Sequence, residues 1–375
     1  MIKFKSKKTI FSFFLIVFLS AICMSQEIKT TKKNGVEIIK NPMSPPVSLQ
    51  QAAGFKLRED LIIGKNQDQA DYVFGLLTCI RVDDSGNIYA LDGKDLCIKV
   101  FDGNGHFLYS FARKGQGPGE LEQPVDFFIL QNATVAVLEF RNNRISYFKK
   151  SGEFIRSVSL GKYRLWQFIT NSNSQIYGEN LNFPSMELLI FDSDMNKIGQ
   201  VASFKIDNIE NPPPLQLYQR FRFTLNSEDQ LIWTMNDDYT LNVSDATNQI
   251  IKIITRDYIP VKVTTAYVRN ELQKMNPRRK LPEKIKIPGH WPNHLPIIDS
   301  VIGDDENNLF IRTNERDEKG RVYYDIFNKD GKYFQKFAHP ENEIIKVIKN
   351  NMIYCLIPSD ENGIPLIKRY MLDWE

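Results

Sequence analysis

Histidine and cysteine are scarce, with four of each in 375 residues. So few histidines leave little material for a metal centre built from several of them. No Cys-x-x-Cys pair occurs, which removes the usual zinc and dithiol motifs. A Gly-x-Ser-x-Gly nucleophile elbow is absent. The one glycine-rich stretch, Gly115-Gln116-Gly117-Pro118-Gly119, lacks the Gly-Lys-Ser/Thr ending and the following helix of a phosphate loop, and reads as a turn. Excess charge is lacking too: 48 Lys+Arg stand against 45 Asp+Glu, a net of +3. That balance argues against nucleic acid or any other polyanion held by long-range charge. At 42% hydrophobic and 25% charged, the chain is not disordered.

Long hydrophobic runs are missing as well. Ile10 to Ile22 is uncharged but spans only 13 residues, too short to cross a bilayer, so no transmembrane span is expected. Lys3, Lys5, Lys7 and Lys8 precede it, so residues 1–25 read as an export signal cut after Ser25. This places the mature protein in the periplasm, at the cell surface or in the medium. Cys23 is an alternative end to the signal as a lipid anchor; Ser20 and Ala21 suit it, and Ile22 does not. Loss of residues 1–25 takes four lysines and no acid, leaving 44 basic and 45 acidic residues. Cys79, Cys97 and Cys355 then remain, each in an apolar strand-like run. An odd number cannot all pair, although a Cys79–Cys97 disulfide suits an oxidising compartment. Residues 26–53, with Pro42, Pro45 and Pro46, read as an extended linker.

What the chain has is a repeat. Asp83-Asp84-Ser85-Gly86-Asn87 is a turn leading into the strand Ile88 to Leu91. Cys97 to Phe101 alternates apolar and charged residues, Asp102-Gly103-Asn104-Gly105 turns, and Phe107 to Phe111 leaves. Turn-then-strand recurs with first apolar residues at 88, 135, 176, 231, 309 and 352, so the spacings are 47, 41, 55, 78 and 43. The triplet Phe101, Gly105, Phe107 returns as Phe148, Gly152, Phe154 and as Phe327, Gly331, Tyr333. Met195 stands where the third blade should have its glycine, and the copy near Val243 is degenerate. An all-β period of this length marks propeller blades, which bury their faces only against one another.

The fold expected over residues 54–375 is therefore an all-β, six-bladed β-propeller of four-stranded antiparallel blades. The last repeat supplies three strands before the chain ends, so the spare strand Phe55 to Ile63 is expected to complete it and leave no free edge. The 78-residue spacing is assigned to an insertion, 259–296, rich in proline, with one short helix over Ala266 to Met275.

From Asp83, the string DDSGNIYALDGKDLCIKVFDGNGHFLYSFARKGQGPGE, with Pro124 after it, resembles an NHL repeat. The chain as a whole resembles the six-bladed, TolB-like propellers common among exported bacterial proteins. The likeness is closest over 79–124 and extends to 125–168 and 297–340. It implies a binding or scaffold protein, since most of that family bind rather than catalyse. Some six-bladed propellers are metal-dependent lactonases or lyases at the central channel. The ligand sets of those types are not assignable here.

The candidate binding residues lie in the insertion. Arg278, Arg279 and Lys280 form a basic run suited to an acidic protein surface or carboxylated glycan. His290, Trp291 and His294 form an aromatic and imidazole cluster that could cap the channel and stack on a ligand. Pro292 between the histidines argues against a helical zinc pair. Asp83-Asp84 and Asp304-Asp305 occupy equivalent repeat positions. Such carboxylates can take calcium, but equivalent placement favours turn chemistry. The reading is a non-catalytic scaffold with no cofactor beyond that calcium option, and the alternative is a metal-dependent lyase or lactonase acting at the central channel. It would bind a cell-envelope protein or glycan through one face and the 259–296 insertion.

Overall fold

The computed structural model describes residues 27–50, 54–130, 133–182, 184–206, 217–275, 280–282, 284–287, 289 and 291–374. Residues 1–25, read from the sequence as an export signal, and Cys23 among them lie outside the described residues. Six sheets form a ring. Blade 1 comprises Leu77–Val82, Ile88–Asp92, Cys97–Phe101 and Phe107–Phe111. Blade 2 comprises Pro124–Ile129, Thr134–Glu139, Arg144–Lys149 and Phe154–Ser159. Blade 3 comprises Leu165–Thr170, Ile176–Asn182, Ser185–Phe191 and Lys197–Lys205. Blade 4 comprises Phe221–Leu225, Leu231–Met235, Thr240–Ser244 and Ile250–Arg256. Blade 5 comprises Ile298–Gly303, Leu309–Arg316, Val322–Phe327 and Tyr333–His339. Blade 6 takes Ile344–Lys349, Met352–Ile357 and Leu366–Trp374, and its outer strand is Phe55–Ile63. That strand pairs antiparallel with the chain's last strand from Ile63↔Ile367 to Phe55↔Trp374, so both ends of the propeller meet in one sheet, as expected.

Burial follows position in the blade. The second strand of blade 1, Ile88–Asp92, is buried throughout, while the fourth, Phe107–Phe111, alternates. A second strand is covered on both faces by neighbouring blades, whereas a fourth lies at the rim. Six apolar clusters result, each shared by two adjacent blades. The repeated aromatic triplet now has a cause. Phe101–Phe107, Phe148–Phe154 and Phe327–Tyr333 are ring pairs 5.8, 5.7 and 5.2 Å apart that brace the turn between third and fourth strands. Each such turn ends in a left-handed residue. Met195 and Asn248, both at φ 64°, take that place in blades 3 and 4.

The acidic pairs serve turns. Asp83 Oδ1 accepts the N–H groups of Ser85 and Asn87 at 3.0 and 2.9 Å. Asp304 Oδ1 does the same for Glu306 and Asn308 at 3.0 and 2.7 Å. Cys79, Cys97 and Cys355 are all free thiols.

One expectation is corrected. Residues 26–53 are not simply an extended linker. Lys29–Lys33 and Val36–Asn41 form a hairpin about Asn34-Gly35, whose φ values of 52° and 85° are those an Asn-Gly turn favours. The second hairpin strand pairs in parallel with Ile250–Arg256 and extends blade 4 to six strands. A short helix, Val47–Gln50, then packs on the outer strand of blade 5. The prolines hid a strand pair whose Ile39 is buried between blades 4 and 5. Residues 29–50 and 54–63 thus lie along the outer rims of blades 4, 5 and 6. The exposed hairpin edge reads Lys-Thr-Thr-Lys-Lys, and its three lysines protect it from further pairing.

Candidate functional site

The ring's axis is lined by the first strand of each blade. In five of the six, this strand carries a β-bulge: between Leu77 and Cys79, Pro124 and Asp126, Leu165 and Gln167, and Ile298 and Ser300 it follows the strand's first residue, and between Ile345 and Val347 it follows the second. A bulge adds one residue and re-aims its side chain. The added residues are Thr78, Val125, Trp166, Asp299 and Lys346. All five line one central cavity of about 570 Å³.

The loops that enter these strands are tied down by buried polar residues at the ends of second strands. Asp92 accepts the N–H groups of Gly75 and Leu76 at 2.7 and 3.0 Å. Glu139 accepts from Glu122, Asn180 from Arg164, and Asn236 from Arg220, at 2.9, 2.7 and 2.8 Å. The backbone at the cavity is therefore fixed before any ligand arrives.

Five cations line the cavity, namely Arg81, Arg220, Arg222, Arg312 and Lys346, against two carboxylates, Asp126 and Asp299. Arg81 pairs with Asp126 at 2.8 Å, and Arg312 with Asp299 at 3.4 Å. Arg220 lies over Trp166, 5.7 Å from the ring centroid, and pairs with the buried Glu179 behind the wall. Arg222 is different. It donates to the carbonyl oxygens of Asp299 and Phe221 and has no carboxylate partner among the described residues. Burial, and then the nearby Arg220, push its pKa below the usual arginine value. Lys346 has no hydrogen-bond or ion-pair partner among the described residues. The Ser300 hydroxyl is buried without a partner in the same wall. Cys79 also lines the cavity, but burial pushes its thiol up to about 12, so it is no ready nucleophile. Among the described residues, two cations thus lack a counter-charge and one hydroxyl lacks a partner in a concave site, an arrangement suited to an anion.

The insertion stands beside this cavity. Its two legs pair through Val263 N–H to Asn293 O at 2.9 Å and Leu295 N–H to Val261 O at 2.8 Å. Its helix, Thr265–Met275, begins with Thr264 Oγ1 accepting the Tyr267 N–H, and it buries Val268. The returning leg joins blade 4 through Ile297 N–H to Asn236 O at 2.7 Å, and Asn236 in turn holds Arg220. A smaller pocket of about 260 Å³ lies here, lined by His294, Pro292, Gln219 and Asn236 among others.

Arg278, Arg279 and His290 lie outside the described residues. Lys280 is exposed, Trp291 is half-buried, and His294 is exposed and bridged to Lys262. Of the described residues named from sequence in the insertion, His294 lines the smaller pocket, and Lys280, Trp291 and His294 do not line the central cavity. The residues that do line it were missed. Their signal was present: a basic residue inside an otherwise apolar first strand, as in Ile80-Arg81, Phe221-Arg222 and Ile345-Lys346.

Residues 69–254 match the model of the DUF5128 family, described as a 6-bladed beta-propeller. No curated protein matches the sequence. Among solved structures, one similar chain is a Bacteroides fragilis protein provisionally described as exported. It is 12% identical over 89% of this chain and 99% of that one, with a TM-score of 0.54. Another is a DUF4221 family member from Bacteroides vulgatus, 14% identical over 85% and 98%, also with a TM-score of 0.54. Identities this low speak for the fold alone. The chain is a six-bladed β-propeller, matched to the DUF5128 family through nearly all of blades 1 to 4 and sharing its shape with a Bacteroides protein described as exported.

Proposed function

We propose that this chain is an exported, non-catalytic binding protein that takes a small acidic ligand, bearing carboxylate or phosphate, at the centre of its ring. The insertion 259–296 forms part of the rim and gives a larger partner, an envelope protein or glycan, a surface to meet. The observation that carries the reading is the surplus of cations in the central cavity. Among the described residues Arg222 and Lys346 have no carboxylate partner, and the Ser300 hydroxyl of the same wall has no hydrogen-bond partner. Arg222 and Lys346 are half-buried, and a cation partly out of water without a counter-charge gains from a ligand anion. Trp166, in the same wall and already stacked by Arg220, offers a flat apolar face for the rest of the ligand.

The test is calorimetric titration of the purified chain at low salt with inorganic phosphate, succinate, a uronic acid and its neutral sugar. The acidic probes should bind, with affinity falling as salt rises. The Arg222→Ala, Lys346→Ala double variant should lose that binding and keep its fold. Equal binding of the neutral sugar, or none of the acidic probes binding, would overturn the proposal.

A further inference from the structure

Away from the channel, between blades 5 and 6, three side chains of different chemistry converge. His339 ends the outer strand of blade 5, Glu343 lies in the connection to blade 6, and Cys355 lies in the second strand of blade 6. All three are buried, and one ligand atom from each falls within 4.8 Å of the others. His339 Nε2 lies 3.5 Å from Cys355 Sγ and also 3.5 Å from Glu343 Oε2. A single imidazole nitrogen can make a good hydrogen bond to one of these atoms, not to both, and 3.5 Å is long for a bond to a carboxylate. Zinc holds nitrogen and oxygen at about 2.0–2.1 Å and sulfur at about 2.3 Å. In a tetrahedron this sets neighbouring ligand atoms roughly 3.4–3.6 Å apart. The two separations here are those of ligands sharing one ion.

The geometry points to a structural metal site, Cys355–His339–Glu343, that takes a borderline cation of the zinc type and joins blade 5 to blade 6. The donor set is one thiolate, one imidazole and one carboxylate, with a water or an additional group as the fourth ligand. The surroundings suit it. Glu343 Oε1 accepts from Lys368 at 2.8 Å, and Oε2 accepts from the Tyr370 hydroxyl at 2.6 Å, so the carboxylate is held from behind. Tyr324, Phe337 and Tyr370 pack edge-on around the imidazole, with centroids 5.8 to 6.1 Å away. Burial keeps that imidazole neutral, the form in which a ring nitrogen can ligate. Burial also raises the Cys355 thiol, so on binding the metal displaces the thiol proton to solvent. This site is independent of the acidic ligand proposed for the channel, and either can fail without the other.

The test uses the full chain produced in medium supplemented with zinc or with cobalt, so that the buried site loads as the chain folds. Elemental analysis should find about one metal per chain. The cobalt form should show the sulfur-to-metal charge-transfer band and the strong visible bands of a tetrahedral thiolate site. Cys355→Ser and His339→Gln should abolish those bands, while Cys97→Ser should leave them unchanged. If Cys355→Ser does not fold, Glu343→Gln, which keeps the size of the side chain, should still lower the metal content and shift the visible bands. Folded native chain without cobalt bands would overturn the inference. So would metal content left unchanged by His339→Gln and Glu343→Gln.

Discussion

Replacing Asn41 should loosen the strap from the ring, and the size of the effect follows from its bonds. Asn41 is buried at the seam of blades 4 and 5. Its Nδ2 donates to Thr255 O at 3.1 Å and to Gly331 O at 3.0 Å, and its Oδ1 accepts the Tyr333 N–H at 2.8 Å. Gly331 has φ 79°, and a Cβ there would come within 2.9 Å of Ile254 and Ile39, so this turn cannot rearrange to find other partners. Asn41→Ala leaves the buried Tyr333 N–H and Gly331 carbonyl unpaired. Each unpaired group costs about 1–3 kcal/mol, so a loss of roughly 2–6 kcal/mol is expected. Urea denaturation followed by tryptophan fluorescence measures the total, and hydrogen exchange locates it. Amides of Val36–Asn41 should lose protection first. Asn41→Asp keeps the acceptor for Tyr333 but sets oxygen against two carbonyls. It should be as damaging at neutral pH and partly recover on acidification, when the carboxyl can donate. A loss below about 0.5 kcal/mol for Asn41→Ala, with exchange unchanged, would refute the claim that the hairpin belongs to the fold.

Removing Phe55–Ile63 should abolish folding, because blade 6 is then left with three strands and the ring open; a soluble product with native strand content by circular dichroism would contradict closure. Metal-free protein should weaken on acidification through His339. Burial holds its pKa down to about 4, so the unfolded chain takes up a proton as pH falls through about 6.5 and the folded chain does not. Stability from this group is complete above about pH 6.5 and is lost progressively towards pH 4, by about 3 kcal/mol at most. His339→Gln should flatten denaturation midpoints over that window. Excising 264–292 between the paired legs should leave a folded ring that still binds the small acidic probe but no longer retains an envelope partner in pull-down; an unchanged pull-down would remove the insertion from the binding surface.

The repeat was legible because its signals are local. A turn such as Asp83 to Asn87 and a brace such as Phe101 with Phe107 are complete within a few residues, so their chemistry appears in the sequence at each return. Closure by Phe55 to Ile63 was legible by counting strands, since a propeller has no use for a free edge. The hairpin at 29–41 was open to the same reasoning through Asn34-Gly35, but three following prolines pointed to a linker. The cavity is of another kind. Arg81, Arg222, Arg312 and Lys346 come from blades 1, 4, 5 and 6, and each gives only a weak local signal, a single basic residue within a mostly apolar strand. What unites them is their place on the first or second strand of a blade, and which strands stand nearest the axis is visible only once the pairing is known. The sequence therefore led to the insertion, where histidines and arginines cluster along the chain. The ring instead collects charge across the chain, one or two residues per blade. In a closed repeat, charged residues in the strands nearest the axis deserve more weight than any run of like residues in a loop, because the axis is where every blade contributes to the same space.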